Sequence, residues 1–234
     1  MKKKKKKLQP NISPLAYIKT KLKDLEMECF RSIKNEMDSG LVSIMVSRKM
    51  PSGKYCVAFY LLDTFCLGLK QTMYQFAITK DELEDFAEKI FASHEVGYVR
   101  ISNEDAHNLI YGAIDYADEL GFKPDKDFEI TEFFLDQDLI TDGIDDIEFG
   151  KGGMPFYCAG PYDNSSVIVD KLTRKLGKDN FNFLIPIDFS DSNFDFDFDD
   201  DDGYDDDYDE DEDYDEDDED YDDEDDEDDE EVKK

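Results

Sequence analysis

Tryptophan is absent from this chain of 234 residues, and histidine and cysteine are scarce. The two histidines, His94 and His107, occur in neither an H-E-x-x-H nor an H-x-E context, and the four cysteines include no C-x-x-C pair. Zinc sites are built from such spacings, so we predict no metal site and no cofactor. The cysteines are also too widely spaced for the disulfide framework of a small secreted protein, and we expect reduced thiols.

Long apolar runs are missing as well. No stretch approaches the roughly 20 apolar residues that a membrane-spanning helix needs. The chain starts with six lysines, Lys2–Lys7, but no apolar segment of the signal-peptide type follows them. We therefore expect a cytoplasmic protein without a membrane partner.

Negative charge, in contrast, is abundant and unevenly distributed. The formal net charge is −35, and residues 195–231 contain 30 of the 62 acidic residues. With the two terminal lysines, residues 195–234 carry −28, which leaves −7 for the rest of the chain. Such a run cannot bury enough apolar surface to fold, so we predict a disordered tail over residues 191–234. Residues 1–14 are predicted to be a flexible basic arm, and residues 15–190 a single domain.

Aromatic residues are interspersed through the acidic run: Phe194, Phe196, Phe198, Tyr204, Tyr208, Tyr214 and Tyr221. Carboxylates attract lysine and arginine over a distance, and aromatic rings add cation–π contacts. Our leading hypothesis is a non-enzymatic interaction protein whose tail captures or shields basic proteins. Ribosomal or nucleic-acid-binding proteins are the expected partners, and the tail would mimic nucleic acid on their surfaces. A purely solubilising tail is the simpler alternative.

The lysine arm offers a second interpretation, because six positive charges suit a phosphate backbone. A flexible chain of 40 residues reaches about 35 Å, however, so the tail can contact Lys2–Lys7 within one molecule. We predict that contact, and it disfavours direct binding of nucleic acid. The corresponding alternative function is a nucleic-acid-associated protein that uses the arm and is autoinhibited by the tail.

Between arm and tail, the hydrophobic patterns predict an α+β fold: a mainly antiparallel sheet built from hairpins, with three or four helices. Helices are predicted at residues 15–25, 79–93, 102–120 and 165–176. Strands are predicted at residues 27–33, 41–49, 54–63, 66–76, 129–135, 147–149, 155–159 and 180–187.

Two hairpins are predicted among these strands. The clearer one joins residues 41–49 to 54–63, because Pro51 and Gly53 suit the turn between them. Its second strand is apolar on both faces, which places it in the centre of the sheet. The other hairpin would join residues 147–149 to 155–159 through the glycine-rich turn at 150–153.

Candidates for chemistry are few, and no residue is assigned a catalytic role. An enzyme of unknown reaction, with a site near Asp63, Cys66 and His107, is a further alternative, because a cysteine nucleophile needs a nearby base. Lys151, Gly152 and Gly153 are candidates for anion binding through backbone N–H groups. Their segment lacks the P-loop spacing, and a simple turn is the competing interpretation.

Several spaced segments are also distinctive. They read Arg48-x-x-Pro51-x-Gly53, Tyr60-Leu61-Leu62-Asp63-x-x-Cys66-Leu67-Gly68-x-Lys70, Tyr111-Gly112-Ala113, Leu120-Gly121-Phe122-x-Pro124 and Phe149-Gly150-Lys151-x-Gly153-x-Pro155-Phe156-Tyr157. Together they resemble a family of uncharacterised bacterial proteins over roughly residues 40–165. The resemblance implies no activity. Similar members often have a histidine near position 125, where this chain has Asp125.

Overall fold

A computed structural model of the chain describes residues 12–33, 39–92, 97–136, 139 and 147–186. The chain divides into two units after Ile187, and every described residue belongs to the first. The predicted limits of the basic arm, the domain and the tail remain predictions.

The described residues form an α+β fold of five α-helices and seven strands. The α-helices are α1 (Pro14–Lys21), α2 (Lys80–Phe91), α3 (Asn103–Glu119), α4 (Phe128–Thr131) and α5 (Ser165–Leu176). The strands are β1 (Met27–Ser32), β2 (Leu41–Lys49), β3 (Tyr55–Asp63), β4 (Gly68–Ile78), β5 (Tyr98–Ile101), β6 (Phe156–Cys158) and β7 (Asn182–Leu184). Short 3-10 helices at Leu22–Asp24 and Glu132–Phe134 continue α1 and α4.

Five strands make one antiparallel sheet in the order β4-β3-β2-β1-β5. The predicted hairpin is confirmed as β2 and β3, which pair from Leu41 with Asp63 to Lys49 with Tyr55. Its turn is closed by hydrogen bonds between Met50 and Lys54 and from Gly53 to Met50. β3 lies inside the sheet between β2 and β4, but the central position predicted for it belongs to β2.

The alternation of side chains along β2 and β3 gives the sheet two apolar faces. Val42, Ile44 and Val46 lie on the face that α1, α3 and the 132–134 helix cover, as their spacing predicted. Met45 and, from β3, Val57 and Phe59 lie on the opposite face, against α2. One helix covers much less of that face than the several elements on the first.

A third apolar cluster lies beyond the β3–β4 connection. It contains Cys66 and Leu67 of that connection and residues of β6, α5 and the C-terminal end of α3. Strands β6 and β7 pair in parallel on either side of α5 in the chain, which makes one β-α-β unit. This unit contains the segment at residues 155–159, which the sequence predicted as the second strand of the other hairpin.

Helix termini follow the sequence signals closely. Thr79 and Glu82 form a reciprocal capping box at the start of α2, with Thr79 N–H donating to Glu82 at 2.7 Å and Glu82 N–H to Thr79 at 3.3 Å. At the end of α3, Phe122 N–H donates to the Ala117 carbonyl and Gly121 N–H to the Asp118 carbonyl, which is the Schellman arrangement.

The strand predicted at residues 129–135 is wrong. This segment is helical, as α4 and the following 3-10 helix, and it buries Thr131 and Phe134 completely. Those two residues are three apart, a helical spacing, whereas the apolar pattern of so short a segment fits a strand equally well. The Asp125 carboxylate accepts the Asp127 N–H at 2.8 Å and turns the chain into the helix.

The hairpin predicted for residues 147–149 and 155–159 is also wrong. Only an isolated bridge between Lys151 and Met154 closes the turn. Instead, β6 pairs with β7, because Tyr157 is buried with Val169 and Leu172 of α5, and α5 returns the chain beside β6. Burial of Tyr157 therefore outweighs the preference of the glycine-rich turn at 150–153 for a hairpin.

Candidate functional site

Asp63, the last residue of β3, places a carboxylate inside the protein. It is only 2% exposed, and its Oδ1 accepts the backbone N–H groups of Phe65 at 2.9 Å and Cys66 at 3.1 Å. Burial raises the pKa of Asp63 to about 6, while those amides and the Lys70 ammonium oppose the rise. The carboxylate therefore organises the turn from β3 into β4.

Cys66 lies in the same turn, and its thiol is completely buried. Burial raises the pKa of Cys66 strongly, and the nearby Asp63 carboxylate adds to the effect. The thiolate is the reactive form of cysteine, so this environment suppresses nucleophilic character. The cysteines at positions 29, 56, 66 and 158 are all free, as expected.

A pair of opposite charges connects this region to the β-α-β unit. Lys70 Nζ lies 2.9 and 2.8 Å from the two carboxylate oxygens of Asp163. Asp163 also accepts the Gly160 N–H at 2.8 Å, and the Tyr157 hydroxyl lies 3.4 Å from it. Both charged side chains are mostly buried, at 18% and 12% exposure, so the pair holds the loop before α5 against β4.

His107 lies apart from Asp63 and Cys66. Its ring packs on Tyr111, with centroids 4.4 Å apart, and burial lowers the pKa of His107 although Asp136 opposes this. A Cβ added to Gly68 would meet Ala117, which follows His107 by ten residues, about 15 Å along an α-helix. The structure brings Asp63 and Cys66 together and leaves His107 too far away to act as their base.

Three of the four amides in the glycine-rich turn at 150–153 donate hydrogen bonds within the protein. The Gly150 N–H donates to the Thr64 carbonyl at 2.9 Å, and the Lys151 N–H donates to the Met154 carbonyl at 2.8 Å. The Gly152 N–H donates to a carboxylate oxygen of Glu148 at 3.1 Å. These amides are already paired, and Glu148 adds negative charge beside them. The turn is thereby fastened to the connection after β3.

Lys151 itself contributes a cation to this turn. Its Nζ lies 5.5 Å from the ring centre of Phe65 and 4.8 Å from that of Phe156, within the range of cation–π contacts. The two rings meet edge to face, with centroids 6.2 Å apart. The lysine therefore bridges the β3–β4 connection and β6.

The second feature of interest is a cavity of about 430 Å³ on the face of the sheet that α2 only partly covers. Phe30, Met45 and Ser47 of β1 and β2 lie at its floor, and Tyr98 of β5 forms one side. Glutamates contribute its acidic edge: Glu28 of β1 with Glu84 and Glu88 of α2. The cavity is thus lined by apolar side chains and carboxylates, and Lys80 of α2 places an ammonium group among them.

Sequence reasoning missed this cavity. Glu84 and Glu88 are four residues apart on a predicted helix, and Glu28 and Phe30 lie two apart on a predicted strand, so each half has a regular spacing. Nothing local indicates that the two faces meet. The strand β5, which supplies Tyr98, was not predicted at all.

Several predicted residues lie outside the described part of the chain. These are His94, the arm residues Lys2–Lys7, and the aromatic residues proposed for partner binding, Phe194, Phe196, Phe198, Tyr204, Tyr208, Tyr214 and Tyr221. Their roles remain predictions from the sequence.

No group of three or more His, Cys, Asp or Glu side chains in the described ranges is placed to hold a metal ion. Among the helices of this part of the chain, none is long and apolar enough to cross a membrane.

Comparison of the chain with protein-family models, with curated proteins and with solved structures finds no match.

Proposed function

We propose that this is a non-enzymatic, cytoplasmic interaction protein whose acidic and aromatic C-terminal segment, residues 195–234, captures or shields basic protein partners. The observation that carries the proposal is the concentration of charge, since this segment holds −28 of the net −35. A field of that size raises association rates with cationic partners by about 10- to 1,000-fold at low salt.

The folded part supports a binding role better than a catalytic one. Cys66 is buried with a raised pKa, and His107 lies at the other end of α3 from it. The alternative of an enzyme acting through Asp63, Cys66 and His107 would require both features to change. The four free thiols fit a reducing compartment such as the cytoplasm.

The proposal is tested with the full-length chain and two matched variants. In the first, the acidic residues of 195–231 are replaced by Asn and Gln. In the second, the acids are kept and the seven aromatic residues become serine. Binding of polyarginine and polylysine of defined length is measured by stopped flow and calorimetry between 50 and 300 mM salt.

Neutralising the acids is expected to reduce the association rate at least about tenfold at 50 mM salt and to flatten the salt dependence. Removing the aromatic rings should weaken equilibrium binding, because each cation–π contact contributes about 0.5 kcal/mol or more. Unchanged rates and affinities in the neutralised variant would refute the proposal.

The same variants test the nucleic-acid alternative. If neutralising the acids increases binding of single-stranded DNA or RNA, and replacing Lys2–Lys7 by glutamine abolishes that gain, the arm is the binding element. The tail would then be an autoinhibitor, and the proposal above would give way to that function.

A further inference from the structure

We propose that the cavity between α2 and strands β1, β2 and β5 binds an arginine side chain of a basic protein partner. This inference rests on the proposed function, since it assumes that the partner is a basic protein. It adds a structured, selective contact to the attraction exerted by the acidic segment. The cavity volume of about 430 Å³ lies in the range of small-ligand sites.

The aromatic lining suits a flat cation. Tyr98 stacks on Phe91 with ring centroids 4.5 Å apart and meets Phe30 edge to face at 5.9 Å. Even so, 45% of Tyr98 is exposed, so a fixed aromatic ring is presented at the side of the cavity. A guanidinium group stacks on such rings and is attracted to their faces.

The carboxylates at the edge already pair with cations of this chain. Lys80 lies 3.1 Å from Glu84, and Arg100 lies 3.1 Å from Glu28. These side chains are substantially exposed, and exposed ion pairs stabilise a protein only weakly, so an incoming cation can replace them. Glu88 forms no ion pair within the described residues. Its carboxylate can therefore bind an incoming cation without first releasing a cation of this chain.

Ser47 adds an acceptor to the cavity. It is only 2% exposed and lines the cavity floor, on the same side of β2 as Met45. A serine hydroxyl oxygen carries two acceptor lone pairs, so it can accept a hydrogen bond from a cationic donor that enters the cavity.

Arginine matches this set better than lysine. Guanidinium is planar, carries five N–H donors and is less strongly hydrated than ammonium, so it can stack on a ring while donating to several acceptors. The cavity offers that combination through Tyr98, Glu88 and Ser47. A lysine ammonium would neutralise the carboxylates, but it has no planar face to stack on Tyr98 and no fixed set of parallel N–H donors.

The test uses the full-length chain and two synthetic peptides of equal length and charge, one alternating Arg and Gly, the other Lys and Gly. Methionine methyl groups labelled with ¹³C report the site, with Met45 assigned through Met45→Leu. Met45 lies in the cavity, whereas Met154 is exposed beside the turn at 150–153, does not line the cavity and serves as the internal control. The Arg peptide is expected to shift the Met45 resonance and leave Met154 unchanged.

Affinity is then compared in charge-matched variants of α2. Glu84→Gln with Glu88→Gln removes the acids at the cavity, while Asp81→Asn with Asp85→Asn removes two exposed acids of the same helix that do not line it. The first pair should weaken binding of the Arg peptide about fivefold, and the second pair much less. Ser47→Ala should reduce the preference for Arg over Lys.

The outcomes separate this inference from the proposed function. If the Arg peptide binds through the acidic segment but Met45 does not move, the cavity proposal is overturned and the proposed function stands. If the variant with a neutralised segment binds as tightly as wild type while Met45 still shifts, the proposed function fails and the cavity remains. Equal Met45 shifts with both peptides would overturn the assignment to arginine.

Discussion

Arg48 of β2 donates its Nε–H to the carbonyl oxygen of Phe134, 86 residues away in the chain, at a distance of 2.8 Å. The same guanidinium donates to the Leu25 carbonyl at 2.6 Å and to that of Lys23 at 3.4 Å. Lys23 and Phe134 belong to the two short 3-10 helices, and Leu25 follows the first of them. One buried cation therefore satisfies backbone acceptors from two separate parts of the fold.

Replacement of Arg48 by lysine should destabilise the protein by about 3 kcal/mol, because an ammonium cannot reach all these acceptors and each hydrogen bond to a charged group contributes about 1.5–3 kcal/mol. Arg48 is only 2% exposed, so water cannot compensate. Arg100→Lys, at a side chain that is 61% exposed, is the control and should cost less than about 1 kcal/mol. Urea unfolding of both variants measures the difference, and equal losses would contradict this role of Arg48.

Asp63 should make stability depend on pH. Its pKa of about 6 in the folded chain exceeds the value of 3.8 for a free aspartate, so the folded state holds the proton more tightly. The resulting stabilisation is complete below pH 3.8 and is lost as the pH rises through about 6. Relative to Asp63→Asn, wild-type stability should fall by about 2.5 kcal/mol between pH 4 and pH 7.5.

The measurement is chemical unfolding of both proteins at several pH values. Asp118→Asn, at an exposed position of α3, controls for the loss of one negative charge. A constant difference between wild type and Asp63→Asn over this pH range would show that the carboxylate titrates normally.

Gly68 and Gly53 form a matched pair for testing close packing. Both have positive φ, at 68° and 82°. A Cβ at Gly68 would lie 2.5 Å from that of Ala117 and 2.8 Å from the Ala113 carbonyl oxygen, whereas a Cβ at Gly53 would meet nothing within 4 Å. Gly53→Ala should cost about 1 kcal/mol from backbone strain, and Gly68→Ala about 3 kcal/mol or more.

Thermal unfolding of the two alanine variants compares these costs directly. A similar loss in both would mean that the contact between the β3–β4 connection and α3 can relax. A much larger loss for Gly68→Ala would confirm that this glycine allows the close approach.

The cysteines should differ in reactivity under native conditions. Cys158 is partly exposed, whereas Cys66 is fully buried with a raised pKa. Alkylation with iodoacetamide, mapped by mass spectrometry, should modify Cys158 first, and modification of Cys66 should follow the rate at which the protein opens. Faster modification of Cys66 than of Cys158 would revive the enzyme alternative.

Local sequence signals determined much of the sheet and most helix ends. The turn at Pro51 and Gly53, the alternation of Val42, Ile44 and Val46, and the capping box at Thr79 each depend on neighbours within a few residues. Such interactions form in the same way wherever the segment lies in the fold. They could therefore be predicted without knowing the tertiary structure.

Segments whose conformation depends on distant partners were predicted poorly. Residues 129–135 alternate well enough for a strand, but the Tyr60 hydroxyl donates to the Thr131 carbonyl at 2.7 Å and Arg48 binds that of Phe134, both in the helical form. Likewise, β6 pairs with β7 because α5 returns the chain to it. Neither partner can be identified from the local pattern.

The candidate functional residues also divide into those that the sequence indicates and those that depend on tertiary structure. The sequence alone determined the size and the position of the acidic run, because charge is counted residue by residue, and it indicated Asp63 and Cys66 as neighbours. Only the tertiary structure decided that His107 lies apart from Asp63 and Cys66. These two residues lie near the C-terminal end of α3, whereas His107 lies near its N-terminal end. The tertiary structure also decided that Glu28, Ser47, Glu84 and Tyr98 line one cavity, because strand pairing and helix packing bring together four segments that are distant in the chain.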